Sequence, residues 1–327
     1  LAGAIREIAP FTATTEFSVE IDPNEIDGPR LDALAEAGMN RASIGVQDFD
    51  PEIQACIGRE QSYEVTRDAV LAIREAGVHS LNADILYGLP HQTGPKITDS
   101  VQKLLSLSPD RVALYGYAHV PWMARRQSML PSDALPTPSE RLDLFETARR
   151  LFVWDGYDEI GIDHFALPSD GLSTAQKAGR LRRNFQGYTD DQSGVLIGVG
   201  ASSISRFPQG YAQNAPATSA HISAIRDGRF STARGHAFRG EDRLRARIIE
   251  ALMCDFAVST EELVAGYGIT ATAARAMFDE VNAAFEKLLD VSDRGLAIPE
   301  EARPLTRMIA RAFDRYDSAS ARHSSAI

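Results

Sequence analysis

Between residues 17 and 119 the chain repeats one unit: a short apolar run, a turn, and an amphipathic stretch closed by a glycine. The apolar runs fall at 17–21, 42–46, 81–86 and 112–117. Between the first two, Asp27 and Pro29 start a helix, Leu31, Leu34 and Ala35 form its buried face, and Gly38 stops it. Between the next two, Val65, Ala69, Ile73 and Ala76 share a face that ends at Gly77. The phrases LAEAGMNRASIGV and AIREAGVHSLNADIL echo one another as repeated helix–turn–strand units do. Strands separated by helices must run parallel, because a parallel pair needs a long crossover. The fold class is therefore α/β, a parallel sheet that is either a barrel or a doubly wound layer, with strands expected to be buried on both faces.

Four strands are too few to close an eight-stranded barrel. A part upstream, further strands at 157–162 and 195–201, or an open barrel would each complete it. Thr137, Pro138 and Glu140 start a further helix with a capping box. Residues 1–11 lack the basic start and clean apolar run of a signal peptide. With Leu1, Ile5 and Ile8 on one side they read as the end of a helix, so sequence upstream is expected.

From about Arg239 the pattern becomes helical. Leu244, Ile248, Leu252 and Phe256 line one helix, Ser259 and Glu262 cap the next, and Met277, Val281, Phe285 and Leu288 line a third. LLDVSDRGLAIP then predicts a hairpin turning at 292–295, 305–316 a last helix, and 318–327 a frayed tail. This is a winged-helix order, and two domains follow: 1–225 and 226–327. A nucleic-acid role is excluded by charge. Between 258 and 290 Arg275 and Lys287 face Glu261, Glu262, Asp279, Glu280, Glu286 and Asp290, and the whole chain carries a formal charge of -11. No apolar run approaches the ~18 residues of a membrane span, so a cytoplasmic protein is expected.

Chemistry in parallel α/β folds gathers at the carboxyl ends of the strands. There the sequence places Glu20 in FSVEID, Gln47 ending SIGVQ, Asp84 in LNADILYG, and His119 ending YGYAH. A carboxylate in a buried strand costs several kcal/mol, of order, unless it is paired. Glu20 and Asp84 therefore meet partners such as Arg41 or face a ligand bearing ammonium and hydroxyl groups. Arg59 in GREQ is either a carboxylate clamp or a solvated helix-terminal arginine. Downstream, Arg180, Arg182 and Arg183 precede Asn184, Phe185 and Gln186, which suits an anionic ligand with an apolar ring body. GVGASSIS permits close backbone approach without the spacing of a dinucleotide fingerprint. Cys56 and Cys254 stand far apart and belong to no cysteine cluster.

In order along the chain, EIDPNEID, NRASIGVQDFD, REQ, DILYGLPHQT, PDRVALYGYAHVP, DHFALP, NFQGYT, GVGASSIS and YAQN resemble the oxygen-independent coproporphyrinogen III oxidases. These are radical S-adenosylmethionine (SAM) enzymes, so the resemblance implies a partial parallel (β/α) barrel of radical SAM type with a C-terminal helical, winged-helix-like domain. It implies oxidative decarboxylation of two propionates of coproporphyrinogen III to the vinyl groups of protoporphyrinogen IX, by a radical made when a reduced [4Fe–4S] cluster cleaves SAM. By motif position Glu20, Gln47, Arg59, Asp84, Ala118 and Ile204 look like SAM contacts, and Phe185 and Gln186 like catalytic residues near the substrate. Arg182 and Arg183 would pair with substrate carboxylates. The partners implied are coproporphyrinogen III and a low-potential electron donor, with the protein a monomer.

The sequence departs from the family in one place. The CxxxCxxC motif and the GGGTPT segment are absent, so this chain is expected to supply no metal ligand and, as it stands, neither to hold the cluster nor to turn over. Both segments are expected upstream of Leu1. Two other readings remain open: a haem-binding or haem-chaperone relative on the same barrel, and a non-catalytic fragment of the family.

Overall fold

The computed structural model describes residues 1–122 and 124–316, and these divide into two compact units between Ala178 and Gly179. The division falls earlier than residue 225. The hairpin and sheet that follow Gly179 belong to the same compact unit as the C-terminal helices.

The first unit begins with a short exposed helix, α1 (Ala2–Ile8), followed by β1 (Ser18–Ile21), α2 (Gly28–Glu36), β2 (Arg41–Gln47), α3 (Pro51–Ile57), α4 (Tyr63–Glu75) and β3 (Ser80–Tyr87). Then come α5 (Gly94–Ser106), β4 (Arg111–Gly116), α6 (Pro138–Trp154), β5 (Asp158–Ile160), β6 (His164–Ala166) and α7 (Gly171–Lys177). The helix starts obey their local chemistry. The Asp27 carboxylate caps α2, Asp50 caps α3, and Thr137 with Glu140 closes a reciprocal capping box on α6. The buried face of α4 is Thr66, Ala69, Val70 and Ile73; Val65, expected inside, is exposed.

The sheet order is β1-β2-β3-β4-β6-β5, with β1 to β4 parallel as the crossovers require. The run at 157–162 does yield a strand, β5, but β5 and β6 are antiparallel because only three residues join them. The two faces of the sheet differ, contrary to the expectation of burial on both. Ala42, Ile44 and Val46, Leu81, Ala83 and Ile85, and Val112 and Leu114 point into a core with Ile73, Val101, Leu104, Leu144 and Phe152 from the helices. The alternate residues, Glu20, Ser43, Asn82, Asp84 and His164, form a polar face one residue out of phase.

The second unit opens with the hairpin β7 (Arg182–Asn184) and β8 (Gly187–Thr189). β9 (Ile204–Phe207), β10 (Gly210–Asn214), α8 (Thr218–Arg226) and β11 (Thr232–Ala237) follow, with the strands ordered β11-β10-β9. Residues 195–201 do not form a strand; a single bridge between Leu196 and Arg206 is all that pairs there. Gly210, at φ 146°, is required where the sheet closes, since a Cβ would lie 2.0 Å from the His236 carbonyl oxygen.

The rest of this unit has α9 (Asp242–Asp255), β12 (Ala257–Ser259), α10 (Thr260–Tyr267), α11 (Ala271–Ala284), β13 (Asp290–Ser292), β14 (Gly295–Ala297), a 3-10 turn and α12 (Thr306–Arg311). With the sheet β12-β14-β13 this is a winged-helix topology, as the sequence order predicts. The α11 core face is Ala274, Phe278 and Val281, while Leu288 is exposed. Ser259 caps α10 by accepting from the Glu262 amide. Arg275, one of two basic residues between 258 and 290, is engaged by Asp279 and Asp293. The expected tail at 318–327 lies outside the described residues. Among the described residues no helix is long and apolar enough to cross a membrane.

Candidate active site

On the polar face of the first unit, Asp84 is the most perturbed carboxylate. Burial, with the charge of Glu20 added to it, pushes Asp84 up to about 6 against the pull of a hydrogen bond from Asn82 and of the His164 imidazole. Asn82 Nδ2 donates to Asp84 Oδ1 at 2.8 Å and to Ser43 Oγ at 3.0 Å. Arg41, expected as a partner for these carboxylates, pairs instead with Glu16 at 2.9 Å. Glu20 is exposed, because β1 stands at the edge of the described sheet.

At the end of β2 the backbone is forced. Gln47 has φ 67°, and the register slips between Gly45 and Gln47. A non-glycine residue in that region costs of order 1–3 kcal/mol and persists where its surroundings hold it. Here they do. Arg59 leaves the end of α3 through the left-handed Gly58, folds back and donates Nη2 to the Gly45 carbonyl at 3.0 Å. Gln61 Nε2 reaches the same oxygen at 3.2 Å. Arg59 also lies 3.5 Å from Asp22, and its buried Nε has no partner among the described residues. A Cβ on Gly45 would lie 2.8 Å from Gln47 Nε2 and 3.1 Å from Arg59 Nη2, so Gly45 makes room for both side chains.

Other motif residues serve the loops. The Asp48 carboxylate, fully buried, accepts from Ser100 Oγ, from the Asp50 amide and from Gln92 Nε2, each at 2.7 Å. Burial still outweighs these bonds and holds Asp48 above the usual carboxylate range. Gln92 in turn accepts from the Gly88 and Leu89 amides, tying the turn after β3 to the turn after β2.

His164 and Asn82 were not singled out by sequence reasoning. His164 sits in register with Asp84 through Ala113, with Nδ1 2.7 Å from Asp163 and Nε2 3.4 Å from the Tyr115 hydroxyl. Period-two counting from Asp84 would have found Asn82. Nothing local in DHFALP marks His164, which reaches this face only through strand pairing. Ala118 is exposed beyond β4, its carbonyl accepting from Gln127, and His119 is held by Tyr117 and Ser132.

The remaining candidates lie in the second unit. Phe185 and Gln186 are the two residues of the β7–β8 turn, with Asn184 Oδ1 accepting from the Gln186 amide. The hairpin is anchored by the Tyr188 hydroxyl on the Met253 carbonyl at 2.7 Å and by the Arg183 amide on Glu250. Arg183 stacks over the Tyr188 ring, and Arg182 donates to the Leu181 carbonyl. Phe185 and Ile204 line one cavity of about 330 Å³; Arg182 and Arg183 are not among its lining.

The residues of the polar face suit SAM. Asp84, with Asn82 beside it and Glu20 on the same face, would accept from an ammonium or from ribose hydroxyls, and the partly exposed Arg59 would donate to a carboxylate. The cysteines do not suit an iron–sulfur cluster. Cys56 and Cys254 stand in different units, and burial pushes both thiols up, Cys254 to about 12, whereas cluster ligation needs thiolate. Among the described residues no group of three or more His, Cys, Asp or Glu is arranged to hold a metal.

A parallel sheet with one apolar and one polar face places the chain among α/β proteins, and residues 2–104 match the Radical SAM superfamily. The chain is 68% identical over 327 residues to the oxygen-independent coproporphyrinogen III oxidase of Paracoccus denitrificans, covering all of this chain and 72% of that protein. It is 35% identical over 314 residues to the Escherichia coli K12 enzyme of the same name, covering 95% of this chain and 69% of that one. The solved Escherichia coli coproporphyrinogen III oxidase, a radical SAM enzyme, matches with a TM-score of 0.91 at 34% identity, over 97% of this chain and 73% of that structure. The chain belongs to the oxygen-independent coproporphyrinogen III oxidase family.

Proposed function

We propose that the protein acts in the oxidative decarboxylation of coproporphyrinogen III to protoporphyrinogen IX, a step of oxygen-independent haem biosynthesis. The observation that carries this reading is the Gln47–Gly45–Arg59 arrangement beside Asp84, within a chain 68% identical to a named oxidase along its whole length. Each propionate loses one hydrogen atom, then CO2 and an electron, and becomes a vinyl group. Bound SAM would supply the hydrogen-abstracting radical.

The chain's own residues bind and orient. Arg59 pairs with the methionine carboxylate, Asp84 and Glu20 take the ammonium or ribose, and Gln47 reads a polar edge. Ala118 and Ile204 give backbone or apolar contact. Phe185 and Gln186, at their hairpin tip, contact the substrate, and Arg182 and Arg183 are carboxylate candidates drawn from the family motif. Neither Cys56 nor Cys254 suits ligation of the cluster. The reading carries with it a low-potential electron donor, a monomeric state and a cytoplasmic location.

The test is turnover by the protein isolated anaerobically from its own cells, with SAM, a reductant and coproporphyrinogen III, read by mass spectrometry. Appearance of a divinyl product with two CO2 per substrate is expected. Intact substrate together with tight haem binding would replace the oxidase reading with that of a haem carrier.

A further inference from the structure

The cavity of the second unit carries a group of residues to which the family motifs give no role. Strand pairing sets Ile204, Gln213 and Arg234 in one row across β9, β10 and β11, with Tyr211 opposite His236 two residues along. All five line an open, surface-facing cavity of about 330 Å³, and Phe185 borders it from the hairpin tip, 5.9 Å from Tyr211 in an edge-on contact. No acidic side chain is among the lining residues. The two polar side chains Arg234 and His236 are held by further partners. Arg234 Nε donates to Gln213 Oε1 at 2.5 Å, which orients the guanidinium and leaves its two terminal nitrogens for a carboxylate. His236 Nε2 lies 3.1 Å from Asp242 Oδ2, an oxygen that also accepts from the Tyr316 hydroxyl at 2.8 Å and the Arg239 amide at 2.8 Å. The Tyr316 ring stands edge-on to the imidazole at 4.6 Å.

We propose that this cavity is a subsite for one propionate-bearing pyrrole ring of the tetrapyrrole, with Arg234 binding the carboxylate, His236 adding a second donor through Nδ1 in its imidazolium form, and Phe185 and Tyr211 flanking the ring. The inference rests on the proposed function and deepens it. The volume lies at the low end of small-ligand pockets, suited to one ring and its side chains rather than a whole macrocycle. An aromatic wall for the ring and a fork-shaped donor for the carboxylate are the two chemistries such a fragment requires. Ile204 forms another, apolar wall. Carboxylate recognition thereby moves from Arg182 and Arg183 to residues beyond 225.

The experiment titrates the 327-residue chain with coproporphyrin III, the air-stable oxidised form carrying the same four propionates, and with its tetramethyl ester, by porphyrin fluorescence. Arg234→Gln is expected to weaken coproporphyrin III binding at least tenfold and His236→Gln several-fold, while Arg234→Lys recovers part of the loss. The ester should bind the unaltered chain weakly and be indifferent to Arg234→Gln. Circular dichroism separates a binding loss from unfolding, and Arg234→Lys keeps the question answerable should the Gln variant unfold. Affinity unchanged in both Gln variants, or an ester that binds as tightly as the acid, overturns the subsite and leaves the oxidase reading standing. A loss in Arg182→Gln but not in Arg234→Gln places the carboxylate at the hairpin and also overturns it. Failure of the unaltered chain to bind coproporphyrin III at all removes the subsite, and divinyl product from the cell-isolated protein then shows whether the oxidase reading survives.

Discussion

Glu20 and Asp84 stand on one face of the sheet, Glu20 in register with Ser43 and Asn82, and Asp84 two residues beyond Asn82. Their mutual repulsion adds to burial in raising Asp84 to about 6. A second carboxylate on the same face adds to the cost of ionising Asp84, a cost that a bound cation would relieve.

Asp84→Asn should therefore stabilise the chain near neutral pH. The folded value of about 6 exceeds the ordinary 3.8, so the stability due to protonated Asp84 is full below about pH 4 and lost as pH rises to about 6. The variant should exceed the original by up to ~3 kcal/mol at pH 7, by the pKa difference, and match it at pH 4. Urea melts at the two pH values measure this, and an equal gain at both would show that the charge is not the cause. SAM affinity should fall in the same variant.

Gly45→Ala tests the cradle at the end of β2. The added methyl would meet Gln47 and Arg59 side chains rather than backbone. The fold should survive, with a loss of about 1–3 kcal/mol as for other overpacked sites. Binding of labelled SAM in equilibrium dialysis should drop roughly tenfold, one lost contact of ~1.4 kcal/mol. Unchanged dialysis would remove Arg59 and Gln47 from the cofactor contacts.

Asp170→Ala addresses the fold alone. Arg111 and Asp170 are 3% and 6% exposed and bonded at 2.7 Å, so removing the carboxylate strands a buried guanidinium. A loss of about 3–5 kcal/mol is expected in chemical denaturation; a loss below ~1 kcal/mol would mean that water reaches Arg111.

Anaerobic reconstitution of the 327-residue chain with iron and sulfide should give no stoichiometric cluster. Two thiols, both raised by burial, are too few for the thiolates that hold such a cluster. Four iron and four sulfide per chain, with the charge-transfer absorption of a cubane, would contradict this.

The parallel repeat was legible because its period is local. Apolar runs, capping residues and closing glycines such as Gly38 and Gly77 lie within a few residues of one another, and they located β1 to β4 and most helices. The winged-helix order was legible for the same reason. Glu20, Gln47, Asp84 and Arg59 stand out in the sequence because strand ends and motif spacing point to them. Which face each occupies was not, and the expectation of strands buried on both sides missed the polar face. What the sequence by itself determined is thus the set of elements, their parallel order and the family motifs. Only the tertiary structure decided the rest: that Arg41 is taken by Glu16, that His164 comes into register with Asp84, and that Arg234 and His236 share a cavity with Phe185. The physical reason is that helix and strand signals come from neighbours along the chain. Pairing of charges and rings is set instead by register between strands distant in sequence, where a one-residue slip would turn each side chain to the opposite face.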